Sequence, residues 1–398
     1  MFGSAIHESR RRVALKLLRG SGVIAAALHA LACGDSSSSA LEAAGAGGMM
    51  SSAGAGGSGG SGVPSGGSGA FTGGSSGTGT DGGGGSGGAG GASGSGNSGL
   101  SPRQIVATAT GTCALDASGT IHCWGATTFG DWVIPMGSFV ELYSSYAAVC
   151  AVRADRSYEC FSQPTPEMPD PFADKPAVRA REIAVGRGIC VLDDNGQLHC
   201  DLGLGWKGEP LSQSLDHVAM GTEFACGIQA ADGAIACWGD PGTEDCQIVP
   251  AEGQLSPPPG SFTALAANNL AACALRGDGT IACWGAGEPG DDSGASCQGV
   301  PYNSGQSTPP PEKFRMVAMG ALNACGIRDD GTIACWGAGT ADECPDTGVD
   351  CRQSRPPAGE FAQVAAGTFH ACAMTVDRRV TCWGSGSEGR TTPPVQFQ

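Results

Sequence analysis

Basic charge is scarce in this chain: 22 Lys and Arg stand against 38 Asp and Glu, and only 15% of the 398 residues are charged. Five of the basic residues and one acidic residue precede Cys33, and Asp35, Glu42 and Asp81 follow before residue 102. That leaves 17 basic and 34 acidic residues from Pro102 onward, a formal balance of −17. Such a surface repels phosphate backbones and argues against nucleic acid as a partner. Histidine is also rare, at six, and no Cys-x-x-Cys occurs, which argues against zinc. There is no Gly-x-Ser-x-Gly elbow, no His-Glu-x-x-His, no phosphate-binding loop and no Asp-x-Asp-x-Asp-Gly calcium loop. No cofactor and no metal are expected. The one apolar run near the N-terminus, Gly20 to Ala32, is too short to span a bilayer stably.

What the chain does have is glycine, 68 residues of it, and 19 cysteines. The apolar run follows Arg10, Arg11, Arg12, Lys16 and Arg19, the pattern of a signal peptide. Ala30-Leu31-Ala32-Cys33 resembles a bacterial lipobox, although Ala30 stands where Leu is usual. The expectation is that residues 1–33 direct export and that Cys33 is lipidated, with an ordinary cleaved signal as the alternative. Without Cys33 an even number of cysteines remains, 18, and all can pair. Arg11-Arg12-Val13-Ala14-Leu15-Lys16 also looks like a twin-arginine signal, so the export route stays open. The protein is expected to be a membrane-anchored lipoprotein at the outer membrane or cell surface, touching the membrane through the lipid alone.

From Gly34 to Ser101 the chain is almost entirely Gly, Ser, Ala and Thr, with Phe71 the one aromatic. Such a segment cannot bury enough apolar surface to offset its chain entropy and is expected to be a disordered tether. A Gly-rich coil of 68 residues would have an end-to-end distance of roughly 45 Å.

Residues 102–398 are repetitive. Seven cysteine pairs recur: Cys113 and Cys123, Cys150 and Cys160, Cys190 and Cys200, Cys226 and Cys237, Cys273 and Cys283, Cys325 and Cys335, and Cys372 and Cys382. Six pairs are ten residues apart and one is eleven. Between the cysteines stands an apolar residue, a Gly- or Asp-containing turn and another apolar residue, as in Leu275, Asp278-Gly279 and Ile281. That is the signature of a tight β-hairpin, and its spacing puts the two cysteines opposite each other within reach of a disulfide. Eleven residues before the first cysteine an aromatic or Leu recurs at Phe139, Leu215, Phe262, Phe314 and Phe361, opening a further strand. Each unit therefore holds at least three strands, and seven units suit one ring of propeller blades. Residues 393–397, Pro-Pro-Val-Gln-Phe, repeat the opening of a unit, whereas the first unit has Pro102 where an aromatic is expected. This predicts that Phe397 fills the missing place and that a C-terminal strand completes the first blade.

The stretch Gly367-Thr-Phe-His370-Ala-Cys-Ala-Met374, followed by Val380-Thr-Cys-Trp383-Gly384, resembles the repeat of the regulator of chromosome condensation family. Trp-Gly closes five units, at Trp124, Trp238, Trp284, Trp336 and Trp383; the second and third have Phe161-Ser162 and Asp201-Leu202 instead, so shorter or irregular blades are expected there. The resemblance covers residues 102–398 and implies an all-β, seven-bladed β-propeller. It does not bring the founding member's nucleotide-exchange activity to an exported, acidic chain. The family's secreted bacterial propellers, some of which bind other proteins through loops on one face, are the nearer analogy.

After Trp-Gly in units four, five and six the chain inserts acidic segments with Glu244, Asp245 and Cys246, with Asp291, Asp292 and Cys297, and with Asp342, Glu343, Cys344 and Cys351. Leaving equivalent points of consecutive blades, they are expected to crowd one face and to bind a protein, peptide or glycan. Cys344 with Cys351 and Cys246 with Cys297 is one pairing; the others remain open. His122 and His199 share one repeat position and read as solvent-facing strand residues, and His370 reads as structural. The domain is expected to be a monomeric binding module without catalysis; the alternative is a secreted hydrolase or lyase with its site in the central channel.

Overall fold

The structure, a computed structural model, describes residues 101–125, 132–145, 148–162, 175–186, 188–201, 210–239, 253–268, 270–287, 296–297, 300–301, 304–340 and 351–398. Cys33, the tether and most of the acidic insertions lie outside these residues. Among the described residues no helix is long and apolar enough to cross a membrane.

Seven three-stranded antiparallel sheets follow one another along the chain. Blade 1 consists of β1 (Pro102–Ala107), β2 (Gly111–Asp116) and β3 (Ile121–Gly125), and blade 2 of β4 (Glu141–Ser144), β5 (Ala148–Val152) and β6 (Tyr158–Ser162). Blade 3 holds β7 (Glu182–Val185), β8 (Ile189–Leu192) and β9 (Leu198–Asp201), and blade 4 β10 (Leu215–Met220), β11 (Phe224–Gln229) and β12 (Ile235–Gly239). Blade 5 is β13 (Phe262–Asn268), β14 (Ala271–Arg276) and β15 (Ile281–Gly285); a small hairpin, β16 (Ser296–Cys297) and β17 (Val300–Pro301), follows it. Blade 6 is β18 (Phe314–Met319), β19 (Asn323–Arg328) and β20 (Ile333–Gly337), and blade 7 is β21 (Phe361–Ala366), β22 (His370–Thr375) and β23 (Val380–Gly384). Blades 2 and 3 lack Trp-Gly and include four of the shortest blade strands, β4, β7, β8 and β9, with four residues each.

The middle strand of each blade is buried along nearly its whole length because both of its faces meet neighbouring blades, so Val, Ile, Leu, Ala and Cys fill it without alternation. The third strand is less covered: in Ile121 to Gly125 only Ile121 and Trp124 are buried, on opposite faces, Ile121 against blade 2 and Trp124 against blade 7. In all seven hairpins the two cysteines face each other in register and are bonded, with Cα atoms 3.9 to 4.1 Å apart. Each bond closes a loop of about ten residues and can contribute up to about 2–3 kcal/mol through the unfolded chain.

The core is divided among the seams. Seven apolar clusters each combine side chains of two adjacent blades, and the one containing Ile105, Trp124, Cys372, Met374 and Phe397 joins blade 7 to blade 1. The ring is closed. Phe397 is almost completely buried there, in the place that Phe139, Phe262, Phe314 and Phe361 hold at other seams. The expected C-terminal strand is corrected: Val395–Phe397 is one turn of 3-10 helix, and blade 1 takes all three strands from residues 102–125. Blade 1 already has its three strands, so the tail contributes its aromatic ring rather than a hydrogen-bonded edge.

Two backbone devices repeat around the ring. At Phe139, Leu215, Phe262, Phe314 and Phe361 the N–H donates to the carbonyl of the turn glycine in the preceding hairpin, at 2.7 to 2.9 Å. A bulge at the second position of β1 and β18 accompanies the outward reach of Arg103 and Arg315, which donate to Phe139 O at 3.0 Å and Phe361 O at 2.6 Å across the next seam. Arg181 does the same to Leu215 O at 2.7 Å.

Candidate binding face and its supports

The acidic segments leave the ring at Trp-Gly, and the bases of two of them are built alike. The Trp284 indole N–H donates to Gln254 O at 3.0 Å, Trp336 to Gln306 O at 2.8 Å and Trp383 to Gln353 O at 2.9 Å. Each tryptophan thus clasps the returning end of the insertion that precedes its own blade. Behind each of these glutamines comes Pro-Pro, which ends the insertion and starts the run to the next Phe. Ser307 Oγ donates to Ala286 O at 2.6 Å, and Ser354 Oγ donates to Ala338 O in the same way, tying the outgoing and returning strands together. Gly287 and Gly339, at φ +91° and +96°, lie so close to Gln306 and Gln353 that a Cβ would sit 2.5 Å from those side chains. The insertions after blades 5 and 6 are therefore pinched shut at buried necks.

Blade 7 shows what the connection needs when nothing is inserted. Nine residues separate Gly384 from Pro393, and Trp124 still finds its acceptor, Arg390 O at 3.1 Å. The corresponding separations after blades 4, 5 and 6 are 18, 24 and 19 residues, which is nine, fifteen and ten more than closing the ring requires. This surplus carries the acidic residues.

Glu244, Asp245, Asp291, Asp292, Asp342 and Glu343 themselves lie outside the described residues, as do Cys246 and Cys344. Cys297 belongs to the β16–β17 hairpin. Cys351 is buried and disulfide-bonded, to none of the fourteen hairpin cysteines. Among the described residues no group of three or more His, Cys, Asp or Glu could hold a metal ion.

The central channel is of different character. A cavity of about 270 Å³ is lined by the first strands, with Ile105, Leu142, Leu265, Met316, Val317 and Val364 prominent and no carboxylate or imidazole among its lining side chains. Its polar members are already engaged: Ser144 Oγ donates to Ala107 O at 2.9 Å, the Tyr143 hydroxyl donates to Arg181 O at 3.3 Å, and Gln363 bonds both backbone groups of Ile105.

Among the described residues the histidines are all tied to scaffold. His122 Nε2 meets Asp116 Oδ2 at 2.9 Å, and His199 Nε2 meets Asp193 Oδ2 at 3.1 Å, each within its own hairpin. Burial alone would raise the Asp116 carboxyl, but hydrogen bonds from Ser118, His122 and Thr120 hold it below its ordinary value. His217 pairs with Glu182 at 3.0 Å, and that hydrogen bond raises the imidazole pKa against the effect of burial. His370 is fully buried between blades 7 and 1, its Nε2 2.9 Å from Thr112 Oγ1, which also lies 3.3 Å from Cys372 Sγ. The disulfide sulfur carries no hydrogen, so the hydroxyl donates to sulfur and accepts from Nε2–H. Burial, with repulsion from Arg390, lowers the His370 pKa to about 3 and keeps the ring neutral.

Residues 361–390 match the regulator of chromosome condensation (RCC1) repeat family. Blade 7 is similar to that repeat, and the seven blades share its three-stranded fold. The RCC1 match covers blade 7 from its Phe to the short return, the unit without an inserted segment. Among solved structures, the CRINKLY WD40 ectodomain of the Arabidopsis thaliana receptor kinase ACR4 shares this fold: it is 20% identical over 72% of this chain and 96% of that chain, with a TM-score of 0.51. The ectodomain of the Physcomitrella patens receptor kinase CR4 is 21% identical over 72% and 74%, at a TM-score of 0.49. Yeast RCC1 (Prp20), in its complex with Kap60, is 17% identical over 74% and 72%, at 0.38.

Sequence reasoning located the hairpins and the insertions but missed the clasp, although Gln-x-x-Pro-Pro recurs at Gln254, Gln306 and Gln353. It also missed Gln104, Glu182 and Gln363, each two residues before the one opposite the first hairpin cysteine, whose side chains bond the next blade. Their chemistry is too varied to register as a repeat until the Phe position supplies the register.

Proposed function

We propose that this protein is an exported, surface-tethered binding module that holds a protein, peptide or glycan partner on the loop face of its ring, with the acidic insertions after blades 4, 5 and 6 as the contact. The observation that carries this reading is the surplus length rising from pinched, buried necks after blades 5 and 6: fifteen and ten residues beyond the connection that suffices after blade 7. Rigid bases holding net-acidic loops suit capture of a basic surface, because fewer conformations are lost on binding. Seven hairpin disulfides support an oxidising compartment outside the cytoplasm. Lipidation at Cys33 with a long Gly/Ser tether would place the ring clear of the membrane. A channel whose lining lacks carboxylates and imidazoles, and whose polar groups are engaged internally, offers little for a hydrolase or lyase.

The test is affinity capture of cell-surface and extracellular material by the full-length chain and by two variants. One has the insertions cut to the length of the blade 7 return; the other has Glu244, Asp245, Asp291, Asp292, Asp342 and Glu343 changed to Asn or Gln. A partner retained by the parent, lost with the short loops and weakened by salt or by neutralisation supports the reading. Equal capture by all three places the binding surface elsewhere on the ring.

A further inference from the structure

Each hairpin disulfide joins a buried sulfur to a partly exposed one. The first cysteine, on the middle strand, is 0% exposed in all seven pairs, and the second, on the third strand, meets solvent in part. Access therefore does not distinguish the pairs, but what faces the buried sulfur does. In six apolar clusters the first cysteine of one blade packs with the residue just before the first cysteine of the next blade, which is Val149, Ile189, Ala225, Ala272, Ala324 or Ala371. Such side chains have nothing to donate. At the closing seam that residue is Thr112, and its hydroxyl lies 3.3 Å from Cys372 Sγ. Since the disulfide sulfur carries no hydrogen, the hydroxyl donates to it, and the Thr112 oxygen in turn accepts from His370 Nε2–H at 2.9 Å. His370 Nδ1 is buried without a partner, which suits a neutral ring with its one proton on Nε2.

We propose that the Cys372–Cys382 disulfide is a thiol-exchange site, attacked at Cys382 by a small external thiolate while Cys372 leaves toward the Thr112 hydroxyl. The thiolate forms a bond to Cys382 Sγ as the Cys382–Cys372 bond breaks, and the electron pair of that bond goes to Cys372 as its thiolate. A second thiol then attacks the external sulfur of the mixed disulfide and releases Cys382, so two thiols are oxidised to one disulfide and the hairpin bond is reduced by two electrons. Exchange is faster the better the leaving sulfur carries negative charge. At six seams that charge would develop against apolar side chains in a site closed to water. At the closing seam a hydroxyl already points at it, and the hydrogen bond strengthens as the sulfur becomes an anion. Thr112 is a positioning residue here, and His370 holds the proton of that hydroxyl on the side of the sulfur. Exchange at this pair would unstaple blade 7 where the ring closes and leave the other six hairpins bonded.

The test treats the folded full-length protein with excess glutathione for graded times, traps free thiols with iodoacetamide and maps both labels by peptide mass spectrometry. In the parent, glutathione on Cys382 and the alkyl group on Cys372 should appear roughly three- to tenfold faster than the same labels on Cys335 and Cys325, the pair of the neighbouring blade. Thr112→Val, which puts at the closing seam the residue type that Val149 supplies between blades 1 and 2, should slow the Cys372–Cys382 reaction to the rate of the neighbouring pair. Thr112→Ser keeps a hydroxyl and should keep the fast reaction. A seam merely loosened by the Val substitution would expose the bond and speed exchange, so the expected slowing is not one that misfolding can produce. Equal rates at the two pairs in the parent, glutathione mainly on Cys372, an unchanged or faster reaction in Thr112→Val, or a slow one in Thr112→Ser would overturn the proposal.

Discussion

Ring closure rests on a neutral histidine, so acid should open the ring at that seam before the hairpins fail. His370 is fully enclosed, and burial and Arg390 hold its pKa to about 3, against 6.5 for an ordinary imidazole. As pH falls the unfolded chain takes up this proton first, so the contribution is intact above 6.5 and is lost on the way towards 3. At pH 5 the unfolded group is 1.5 units below its ordinary pKa, which at 1.36 kcal/mol per unit costs the fold about 2 kcal/mol. For a ring of this size that is a fall in Tm of about 3 °C. Glu141 acts with the opposite sign in the same window, because its raised pKa makes the fold gain stability as pH falls from 7 towards 4.5. Since part of that carboxyl still meets solvent, the gain is discounted to about 1–2 kcal/mol, enough to mask most of the histidine effect. The measurement is therefore made in the Glu141→Gln background, comparing thermal unfolding at pH 7.5 and pH 5 with and without His370→Asn. The single variant should lose the full increment, and the double variant, although less stable at pH 7.5, should lose far less on acidification. Equal losses in the two proteins would refute the assignment of His370 as the acid-sensitive group of the closing seam.

Three other outcomes follow from the packing. Phe397→Ala removes the phenyl ring that packs beside Trp124 in the blade 7 to blade 1 cluster and should cost about 3–5 kcal/mol in chemical denaturation, with deletion of residues 392–398 costing at least as much. Arg156 has a φ of 69° where five sister hairpins place glycine at 73° to 88°, so Arg156→Gly should stabilise the fold by roughly 0.5–1 kcal/mol. A double Cys273→Ala and Cys283→Ala variant should lose about 2–3 kcal/mol while keeping the propeller's circular dichroism, because one staple of seven is removed.

Much of the architecture was legible because each blade repeats the same local physics. Cys273 and Cys283 at ten residues, with a Gly turn between, specify a cross-linked hairpin without reference to the rest of the chain, and its recurrence counts the blades. The eleven-residue spacing to the first cysteine was enough to place Phe139, Phe262, Phe314 and Phe361 at their seams, and the tail's Phe397 fell into that series. The tail's backbone was not legible: the same Pro-Pro-to-Phe phrase leads into strands at Phe262 and Phe314, whereas blade 1 already has its three strands where Phe397 meets it, so the tail brings only its ring. The candidate face was legible as surplus length, whereas its clasp was not, because Trp336 and Gln306 are thirty residues apart and meet only once the neighbouring blades are stacked. Local spacing and polarity thus determined the hairpins, their number and the likeness to RCC1 repeats. Only the tertiary structure decided that Gln104, Glu182 and Gln363 are equivalent, that His370 is dry and neutral, and that the channel is apolar: each depends on which side chains a second blade brings within hydrogen-bonding distance and on how much water the seam excludes.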